Sequence, residues 1–317
     1  MPGMRLPPTD LRPGFDITRA SHIVLTVRDV DRSVAFYTGV FGLVVTERTD
    51  DEAYLRGLEE ACHHSLVLRR TAGEPLCARI GLRVLLDEDL DPLAEHFTSR
   101  GCATAWHDTP HQSRTLHVED PQGVRLELCA SMPVAPRMLT HFEAYRGGCA
   151  QRLDHFQLYV ADPTAAVELY ASAGFRLSEY IADDAERIVG AFLQRKGNPH
   201  DLVFFRHGDR ARLHHVAYTT TSPQTLLEAC DVASALGFGD RIERGPGRHG
   251  PGHAQYLYVR DPDGHRAELF TTHYQLIDVE LEPVRWDPAP GLAIPAAPYG
   301  PPPPRSWIDE AMPFAHS

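Results

Sequence analysis

The sequence predicts an α+β protein in which four βαβββ modules pair into two barrel-like domains, followed by a proline-rich C-terminal arm. The first reason is an internal repeat, in which His22-Ile-Val-Leu-Thr-Val-Arg-Asp29 is matched by His155-Phe-Gln-Leu-Tyr-Val-Ala-Asp162 in the second half. The segment 116–127 is likewise matched by 257–268, and each contains an Asp-Pro-x-Gly turn between two strands. The repeat is too long for a solenoid, so we expect two copies of one domain.

The first half of the chain shows two strand–helix–strand patterns. Residues 22–27 alternate as a strand does, Asp29 is a helix N-cap, and the next helix is predicted over 30–40, where Gly42 ends it. The second pattern runs from about residue 79 to 131, with a helix over 91–100 that is followed by Gly101. These two patterns predict the first pair of modules.

The second half repeats this organisation. Asp162-Pro163 predicts the start of a helix that runs through residue 170, and Ser222-Pro223 predicts one that runs through residue 235. Residues 137–148 are predicted to form a connecting helix and loop. The resulting boundaries are an N-terminal domain over 1–140, a C-terminal domain over 141–278 and an arm over 279–317.

The arm is set apart by its composition. Nine prolines lie between residues 282 and 305, which excludes a helix or a central strand there. Such a segment is either a disordered tail or an extended arm on the surface of the domains. Trp286, Tyr299, Trp307 and Ile308 favour the arm, because a free tail usually lacks such apolar anchors.

Composition excludes several classes of function. A hydrophobic content of 43% and a charged content of 23% are typical of a globular protein. The net charge of -12, with no cluster of Lys and Arg, argues against nucleic acid or an anionic membrane as a partner. No apolar run approaches the ~18 residues of a membrane span. The six scattered cysteines form no C-x-x-C pair, which predicts reduced thiols and a cytoplasmic location.

Three residues of the second half form a candidate metal site. His155 begins the first strand of the third module, His215 begins that of the fourth, and Glu268 ends the last strand. Two imidazoles and one carboxylate leave three adjacent coordination positions open, which suits non-haem Fe(II). The alternative is that the three are unrelated core or surface residues. Their equivalent places in a repeat favour the metal site.

The same half carries several distinctive runs of sequence. They are Arg152-Leu-Asp-His-Phe156, Arg195-Lys-Gly-Asn-Pro-His-Asp201, Leu213-His-His-Val216, Asp240-Arg-Ile-Glu-Arg-Gly-Pro-Gly-Arg-His-Gly250 and 256–268. With these runs the chain resembles the type I extradiol ring-cleaving dioxygenases of the vicinal oxygen chelate superfamily, over residues 20 to 275. Within them it is most similar to the homoprotocatechuate 2,3-dioxygenase branch. The resemblance implies the vicinal oxygen chelate fold, a homotetramer, and His155, His215 and Glu268 as ligands of Fe(II). Mn(II) accepts the same ligands.

The resemblance also implies roles for residues around the metal. His200 corresponds to an acid/base histidine beside bound O₂, and histidine suits that role because its ordinary pKa is near neutrality. Tyr258 corresponds to a phenol that hydrogen-bonds a catechol oxygen, and Arg244 and His249 correspond to residues of the substrate pocket. The alternatives are that His200 has no role in proton transfer and that Arg244 only pairs with Glu243 or Asp240.

Three departures from that branch bear on the substrate. Gln157 replaces an Asn near the O₂ side, and Phe192 replaces a Trp over the substrate, which removes an N–H donor. Residues 287–296 carry no cation, whereas the branch has an Arg pair there that helps to bind a carboxylate. We therefore expect a catechol with an uncharged or aromatic substituent near Leu292 and Ile294. Arg244 alone, or Arg305, could still hold an acid.

The N-terminal half contains an altered copy of the candidate metal site. His22 and Glu127 are retained, His64 corresponds to His200, and Arg79 replaces the second histidine. A guanidinium cannot donate a lone pair to a metal. We expect an ion pair between Arg79 and Glu127 and no iron in this half.

These observations predict extradiol cleavage of a catechol by O₂, which gives a muconic semialdehyde-type product. One alternative is homoprotocatechuate 2,3-dioxygenase proper. Others are a metal-dependent lyase or isomerase of the same superfamily, and a ligand-sequestering protein on the same fold.

Overall fold

The computed structural model describes residues 6–286, 299 and 302–315. It contains four βαβββ modules, as the sequence predicted. The first two are β1 (Ile17–Val27), α1 (Val30–Phe36), β2 (Val44–Arg48), β3 (Glu52–Arg56) and β4 (Leu66–Arg70), then β5 (Cys77–Val84), α2 (Leu90–Ser99), β6 (Ala103–His107), β7 (Thr115–Glu119) and β8 (Arg125–Cys129).

The second two modules repeat that order. They are β9 (Arg152–Val160), α3 (Pro163–Ser172), β10 (Arg176–Ala182), β11 (Ile188–Gln194) and β12 (Leu202–Arg206), then β13 (Arg212–Thr220), α4 (Pro223–Ala235), β14 (Ile242–Arg248), β15 (Gln255–Arg260) and β16 (Arg266–Thr271). The arm contributes β17 (Val284–Trp286), α5 (Arg305–Asp309) and β18 (Met312–Pro313).

Each pair of modules forms one mixed sheet. The strand order is β2-β3-β4-β1-β5-β8-β7-β6 in the N-terminal sheet and β14-β15-β16-β13-β9-β12-β11-β10-β17 in the C-terminal one. In every module the first strand pairs parallel with the last. The two first strands of a pair run antiparallel at the centre of the sheet. The first strands of the two modules in a pair are therefore direct neighbours.

The predicted helices form where their caps indicated. The Asp29 side chain accepts from the backbone N–H of Arg32, and α1 continues as one π-helical turn to Gly42, whose φ of 74° ends it. The expected helix within 137–148 is wrong, because only a short 3₁₀ turn forms at Phe142–Ala144. The backbone of this segment bonds to the N-terminal module instead, with Met138 N donating to Leu58 O and Gly148 N to Val40 O.

Matching contacts join the two sheets. The hydroxyl of Tyr37 in the first module donates to Asp261 of the turn after β15, and that of Tyr170 in the third donates to Asp120 of the turn after β7. A single hydrophobic cluster includes side chains of all four modules. The Asp-Pro-x-Gly turns therefore also hold one half of the molecule against the other.

The described part of the arm lies on the domains, as the aromatic anchors indicated. β17 pairs parallel with β10, and β18 pairs antiparallel with β13. Trp307 in α5 is only 2% exposed. Residues 287–298, with Leu292 and Ile294 and the expected cation-free segment, lie outside the described residues. Within the described ranges, no helix is long and apolar enough to cross a membrane.

Candidate active site

The centre of the C-terminal sheet brings two histidines and one glutamate together. His155 on β9 lies opposite Ala217 on β13, and Ala217 lies beside Glu268 on β16. The Nε2 atoms of His155 and His215 lie 3.4 and 3.1 Å from Oε2 of Glu268. The three ligand atoms are within 4.8 Å of one another, and all three side chains are buried. This donor set can hold a divalent metal ion and leave adjacent positions open.

Asp154 fixes the ring of His155. Its Oδ2 accepts a 2.9 Å hydrogen bond from Nδ1 of His155, so the opposite nitrogen points toward Glu268. The other oxygen of Asp154 accepts from Nδ2 of Asn198 at 2.6 Å. Burial alone would raise the pKa of Asp154, but the charge of Lys196 and the bond from His155 outweigh it and hold the pKa well below its usual range. An ionised carboxylate behind a histidine is the usual support of a metal ligand.

His215 is oriented by its neighbour His214 and by the arm. Nε2 of His214 lies 2.7 Å from the carbonyl oxygen of Trp307, which can only accept, so this nitrogen carries the proton. Burial lowers the pKa of His214 well below its usual range, so the ring is neutral and its Nδ1 accepts. Nδ1 of His215 donates to it at 2.7 Å. The Nε2 lone pair of His215 is therefore free, and this atom has no hydrogen-bond partner.

Two of the three candidate ligands already have the protonation state that metal binding requires. Burial lowers the pKa of His215 to about 4. Burial would raise the pKa of Glu268, but the imidazoles of His155, His215 and His249 outweigh it and hold the pKa well below its usual range. For His155, burial is outweighed by Asp154 and Glu268, and the pKa is raised. A metal would displace that proton, since only neutral imidazole is a ligand.

A cleft opens above the three residues. Every predicted site residue except Arg244 lines it, with Gln157, Phe192, His200, His249 and Tyr258 joining His155, His215 and Glu268. The remaining lining is mostly apolar and includes Val203, Phe205, Pro251 and Ala254. A few convergent polar groups among apolar side chains are typical of the lining of a small-molecule site.

His200 stands at the side of this cleft. Its ring packs edge-on against His155 at 5.3 Å and lies against Phe192 at 4.8 Å, and its Nε2 has no hydrogen-bond partner. Burial, with the nearby charges of His273 and His155, lowers the pKa of His200 well below its usual range. His200 is thus a neutral base in the free protein, rather than the half-protonated histidine that its ordinary pKa suggested.

Tyr258 and His249 form a pair on another side of the cleft. Nε2 of His249 lies 2.8 Å from the Tyr258 hydroxyl and 3.5 Å from Oε1 of Glu268. Burial, followed by the charge of Glu268, raises the pKa of Tyr258 well above its usual range. The phenol therefore stays protonated.

Arg244 lies behind the cleft wall. Its guanidinium carbon is 4.3 Å from the ring centre of Trp307 and 4.8 Å from that of Tyr256. The side chain is buried, and its Nε and Nη1 have no hydrogen-bond partner. The alternative that Arg244 pairs with Glu243 or Asp240 is wrong within the described residues. Glu243 is bound by Arg260 and Arg266 instead, at 2.8 and 2.6 Å.

Several residues of the site were not predicted from the sequence. Asp154 and Asn198 orient His155, His214 orients His215, and Trp307 and His273 line the cleft. Asp154 and His214 directly precede the ligands in sequence, which is a usable signal. Trp307 was recognised only as an anchor of the arm, because nothing in its own surroundings indicates which cleft it reaches.

The altered copy in the N-terminal half differs from the expectation. Arg79 makes no ion pair with Glu127 within the described residues. Glu127 instead accepts from His22 and His117, each at 2.9 Å, and from Gln112 at 2.5 Å. His117 corresponds to Tyr258 in the repeat, and it bonds the carboxylate with which Arg79 was expected to pair. Arg79 lines the same cavity as Glu127, and His64 packs edge-on against His22 at 5.5 Å, as His200 does against His155.

Comparison with known proteins identifies the family. The model of the glyoxalase/bleomycin resistance protein/dioxygenase superfamily matches residues 19–128 and 152–269. The chain belongs to that superfamily. It is 29% identical over 287 residues to a manganese-dependent 2,3-dihydroxybiphenyl 1,2-dioxygenase of Geobacillus genomosp. 3, covering 86% of this chain and 90% of that protein.

Two further relatives agree. A metapyrocatechase of Geobacillus stearothermophilus is 27% identical over 289 residues, covering 87% of each chain. The structure of homoprotocatechuate 2,3-dioxygenase from Brevibacterium fuscum, in complex with 3,4-dihydroxyphenylacetate, superposes with a TM-score of 0.89 at 34% identity, over 96% of this chain and 95% of that one. These relatives are extradiol dioxygenases, and the predicted enzyme class is confirmed.

The role of His214 can be tested by removing its acceptor nitrogen. In His214→Phe, Nδ1 of His215 loses its partner, so we expect metal affinity to fall about 10–100-fold, as for other residues that support metal ligands. His214→Asn keeps an acceptor near the position of Nδ1 and should recover part of the loss. Competition of the metal-free protein with a chromogenic chelator measures the affinity.

The matched control is His141→Phe, since His141 is half exposed in the segment between the two domains. It should bind metal as the unaltered protein does. Equal affinities for His214→Phe and His141→Phe would contradict the proposed support of His215.

Proposed function

We propose that the protein uses O₂ to cleave the ring of a catechol beside its two hydroxyls, at one divalent metal held by His155, His215 and Glu268. The observation that carries this proposal is the convergence of three buried ligand atoms within 4.8 Å beneath an apolar cleft. The opposite nitrogen of each histidine is occupied by a hydrogen bond, to Asp154 or to His214. This support is what a metal ligand requires and what a merely structural histidine does not need.

The donor set fits a hard or borderline divalent ion. Two imidazoles and a carboxylate suit both Fe(II) and Mn(II), and His215 offers an Nε2 that nothing else satisfies. We propose Fe(II), with Mn(II) as the second candidate because one relative is named manganese-dependent. A bound divalent ion supplies a charge that lowers the pKa of catechol hydroxyls, and positions at which catechol and O₂ can lie side by side.

The surrounding side chains supply the proton transfers. His200 is neutral and has an unsatisfied Nε2, so it can take a proton from a reacting oxygen and return it when the ring opens. The Tyr258 phenol remains protonated and can donate to one oxygen of the catechol, and His249 holds its hydroxyl in place. The apolar wall of Phe192, Val203 and Phe205 limits water around these groups.

We propose that the substituent on the catechol is uncharged or aromatic. The lining that the structure describes beyond the polar residues consists of apolar side chains, among them Val203, Phe205, Ala254 and Trp307. A carboxylate placed among these side chains would lose its hydration and would gain no hydrogen bond or ion pair from them.

One observation favours a second candidate, a catechol with an acidic side chain. The guanidinium of Arg244 is buried with two unpartnered nitrogens, and a buried cation in that state would gain strongly from a carboxylate. Trp307 and Tyr256 lie against its faces, so an acid would have to reach its edge.

The proposed reaction is tested with the full-length protein, freed of metal and reloaded with Fe(II) or Mn(II) under anaerobic conditions. On addition of catechol and air we expect one O₂ consumed for each catechol and a yellow ring-opened product. Glu268→Gln should lose both metal and activity, because an amide oxygen is a much weaker ligand than a carboxylate. The matched control is Glu127→Gln, the equivalent substitution in the other half, which should keep both.

Other outcomes would indicate one of the alternative functions. Conversion of a chelating compound without O₂ uptake would indicate a lyase or isomerase, and binding without turnover would indicate a sequestering protein. Absence of O₂ uptake with every catechol would overturn the proposal.

His200 can be tested apart from the metal. In His200→Asn the proton acceptor is lost while the three candidate ligands remain, so we expect kcat to fall by about 10²–10⁴-fold at unchanged metal content. Oxygen uptake at saturating catechol gives kcat, and metal analysis of the same sample gives the content. His207→Asn, a half-buried histidine that stacks on Tyr159 outside the cleft, serves as the control. An unchanged kcat in His200→Asn would remove His200 from the mechanism.

A panel of catechols tests the substituent. We expect kcat/KM to be higher for catechol, 4-methylcatechol and 2,3-dihydroxybiphenyl than for 3,4-dihydroxyphenylacetate, and Arg244→Leu to leave this order unchanged. If Arg244 holds an acid, 3,4-dihydroxyphenylacetate is preferred instead. Its kcat/KM then falls about 10–100-fold in Arg244→Leu, the loss of one charge-assisted hydrogen bond. Arg248→Leu, on the same strand, controls for general loss of positive charge.

A further inference from the structure

The N-terminal sheet has a cavity at the place where the C-terminal sheet has the catalytic cleft. The strand registers give the correspondence, since Val24 pairs with Arg79 just as Gln157 pairs with His215. Val24 and Arg79 line the cavity, and Gln157 and His215 line the cleft. A guanidinium therefore takes the place of a candidate metal ligand in a cavity that is otherwise built in the same way.

The floor of this cavity is apolar. Val24, Tyr54 and Val67 are buried and form a small cluster of their own, apart from the main core, and Ala78 packs against it. The four residues come from four strands, β1, β3, β4 and β5, and all of them line the cavity. The apolar body of a small molecule can pack on this floor.

Arg79 places a positive charge beside this apolar floor. Its side chain is partly buried, and it makes no hydrogen bond or ion pair with any residue that the structure describes. Burial, followed by the charge of Arg125, lowers the pKa of Arg79. A guanidinium nevertheless stays protonated in a protein. The cation would therefore gain from an anion that enters the cavity.

His64 adds a second polar group to the cavity wall. It is 1% exposed, its Nδ1 bonds Nδ1 of His63 at 3.1 Å, and its Nε2 is buried without a hydrogen-bond partner. Burial, followed by the charge of His22, lowers the pKa of His64 well below its usual range, so the ring is neutral. Buried polar atoms are usually paired, so Nε2 of His64 would gain from a polar group of a bound molecule.

Two carboxylates also line the cavity, and they limit the charge of the ligand. Glu127 already accepts from His22, His117 and Gln112 at 2.5–2.9 Å, so its oxygens are occupied by these donors. Asp108, the other carboxylate, is exposed. A ligand with one negative charge can meet the guanidinium, whereas a second negative charge would be repelled by Glu127.

We propose that this cavity is a second binding site, which needs no metal and takes a small aromatic monocarboxylate. The carboxylate binds Arg79, and the ring packs on Val24, Tyr54 and Val67. Bonds between a guanidinium and a carboxylate are charge-assisted and often bidentate, so one arginine can select an acid over a neutral molecule of the same shape. The site lies in the half without the candidate metal ligands and does not depend on the proposed reaction.

The test is the binding of benzoate to the full-length, metal-free protein, measured by calorimetric titration. The parent protein is Arg244→Leu, because a carboxylate could also bind the buried guanidinium in the catalytic half. We expect one benzoate per chain, and benzamide, a neutral molecule of the same shape, to bind about tenfold more weakly or less. Adding Arg79→Leu should lower the benzoate affinity about 10–100-fold, the loss of one charge-assisted interaction, and Arg79→Lys should recover part of it.

Ala78→Phe provides a second variant, which fills the floor of the cavity and keeps the cation, and it should also weaken benzoate binding. The matched control is Arg100→Leu, which removes an exposed guanidinium at the end of α2 and should bind as the parent does. Benzoate should raise the midpoint of thermal unfolding in the parent and in the control, and less in Arg79→Leu.

Three results would overturn the proposal. They are no benzoate bound by the parent, equal affinities for benzoate and benzamide, and benzoate binding that is unchanged in Arg79→Leu. Because none of these readouts uses metal or turnover, they stand whether or not the catechol reaction is found.

Discussion

The antiparallel pairing of β9 with β13 at the centre of one sheet determines where the chemistry can occur. Each of these strands also pairs parallel with the last strand of its own module. The middle of β9 thus lies beside the middle of β13, where His155 is opposite Ala217, and Ala217 is in turn beside Glu268 in β16. His155, His215 and Glu268 are distant in sequence, yet this pairing places them on three adjacent strands within reach of one another. The helices and the turns between strands serve to hold that central pair in place.

The same pairing in the N-terminal sheet produces a different chemistry. β1 and β5 place Glu127 beside His22 just as β9 and β13 place Glu268 beside His155. Around Glu127, however, His117 and Gln112 are close enough to donate, and the carboxylate is satisfied by hydrogen bonds of 2.5–2.9 Å. Around Glu268, the imidazoles stand at 3.1–3.5 Å, and Nε2 of His215 stays unpaired. A shared backbone geometry therefore gives a closed ionic cluster in one half and an open donor set in the other.

The features that could be predicted from the sequence are those that repeat between the two halves of the chain. The modules, the helix caps and the candidate ligands repeat along the chain, so a comparison of the two halves located them. Side-chain partners across the fold do not repeat. Arg79 was expected to reach Glu127, but on β5 it lies two residues from Gly81, the residue beside Glu127. His117 on β7 lies directly opposite Glu127 and bonds the carboxylate. Arg244 was given Glu243 as a possible partner because they adjoin in sequence, yet neighbours on a strand point to opposite faces, and Glu243 meets Arg260 and Arg266 there.

The contacts of the arm with the candidate site could not be predicted in this way, because the arm lies outside the repeat. The carbonyl oxygen of Trp307 fixes the tautomer of His214, which in turn leaves Nε2 of His215 free to bind. The indole of the same residue covers Arg244 and lies edge-on to Tyr258. One residue of a short helix thus acts on a candidate ligand, a phenol and a cation together. The N-terminal half receives a different contact from the arm, a strand bridge from Phe314 to Cys77. The difference between the halves therefore comes from the arm as well as from the altered ligands. In the described residues, the arm gives the C-terminal sheet a carbonyl oxygen that orients a histidine, and it gives the N-terminal sheet a strand bridge.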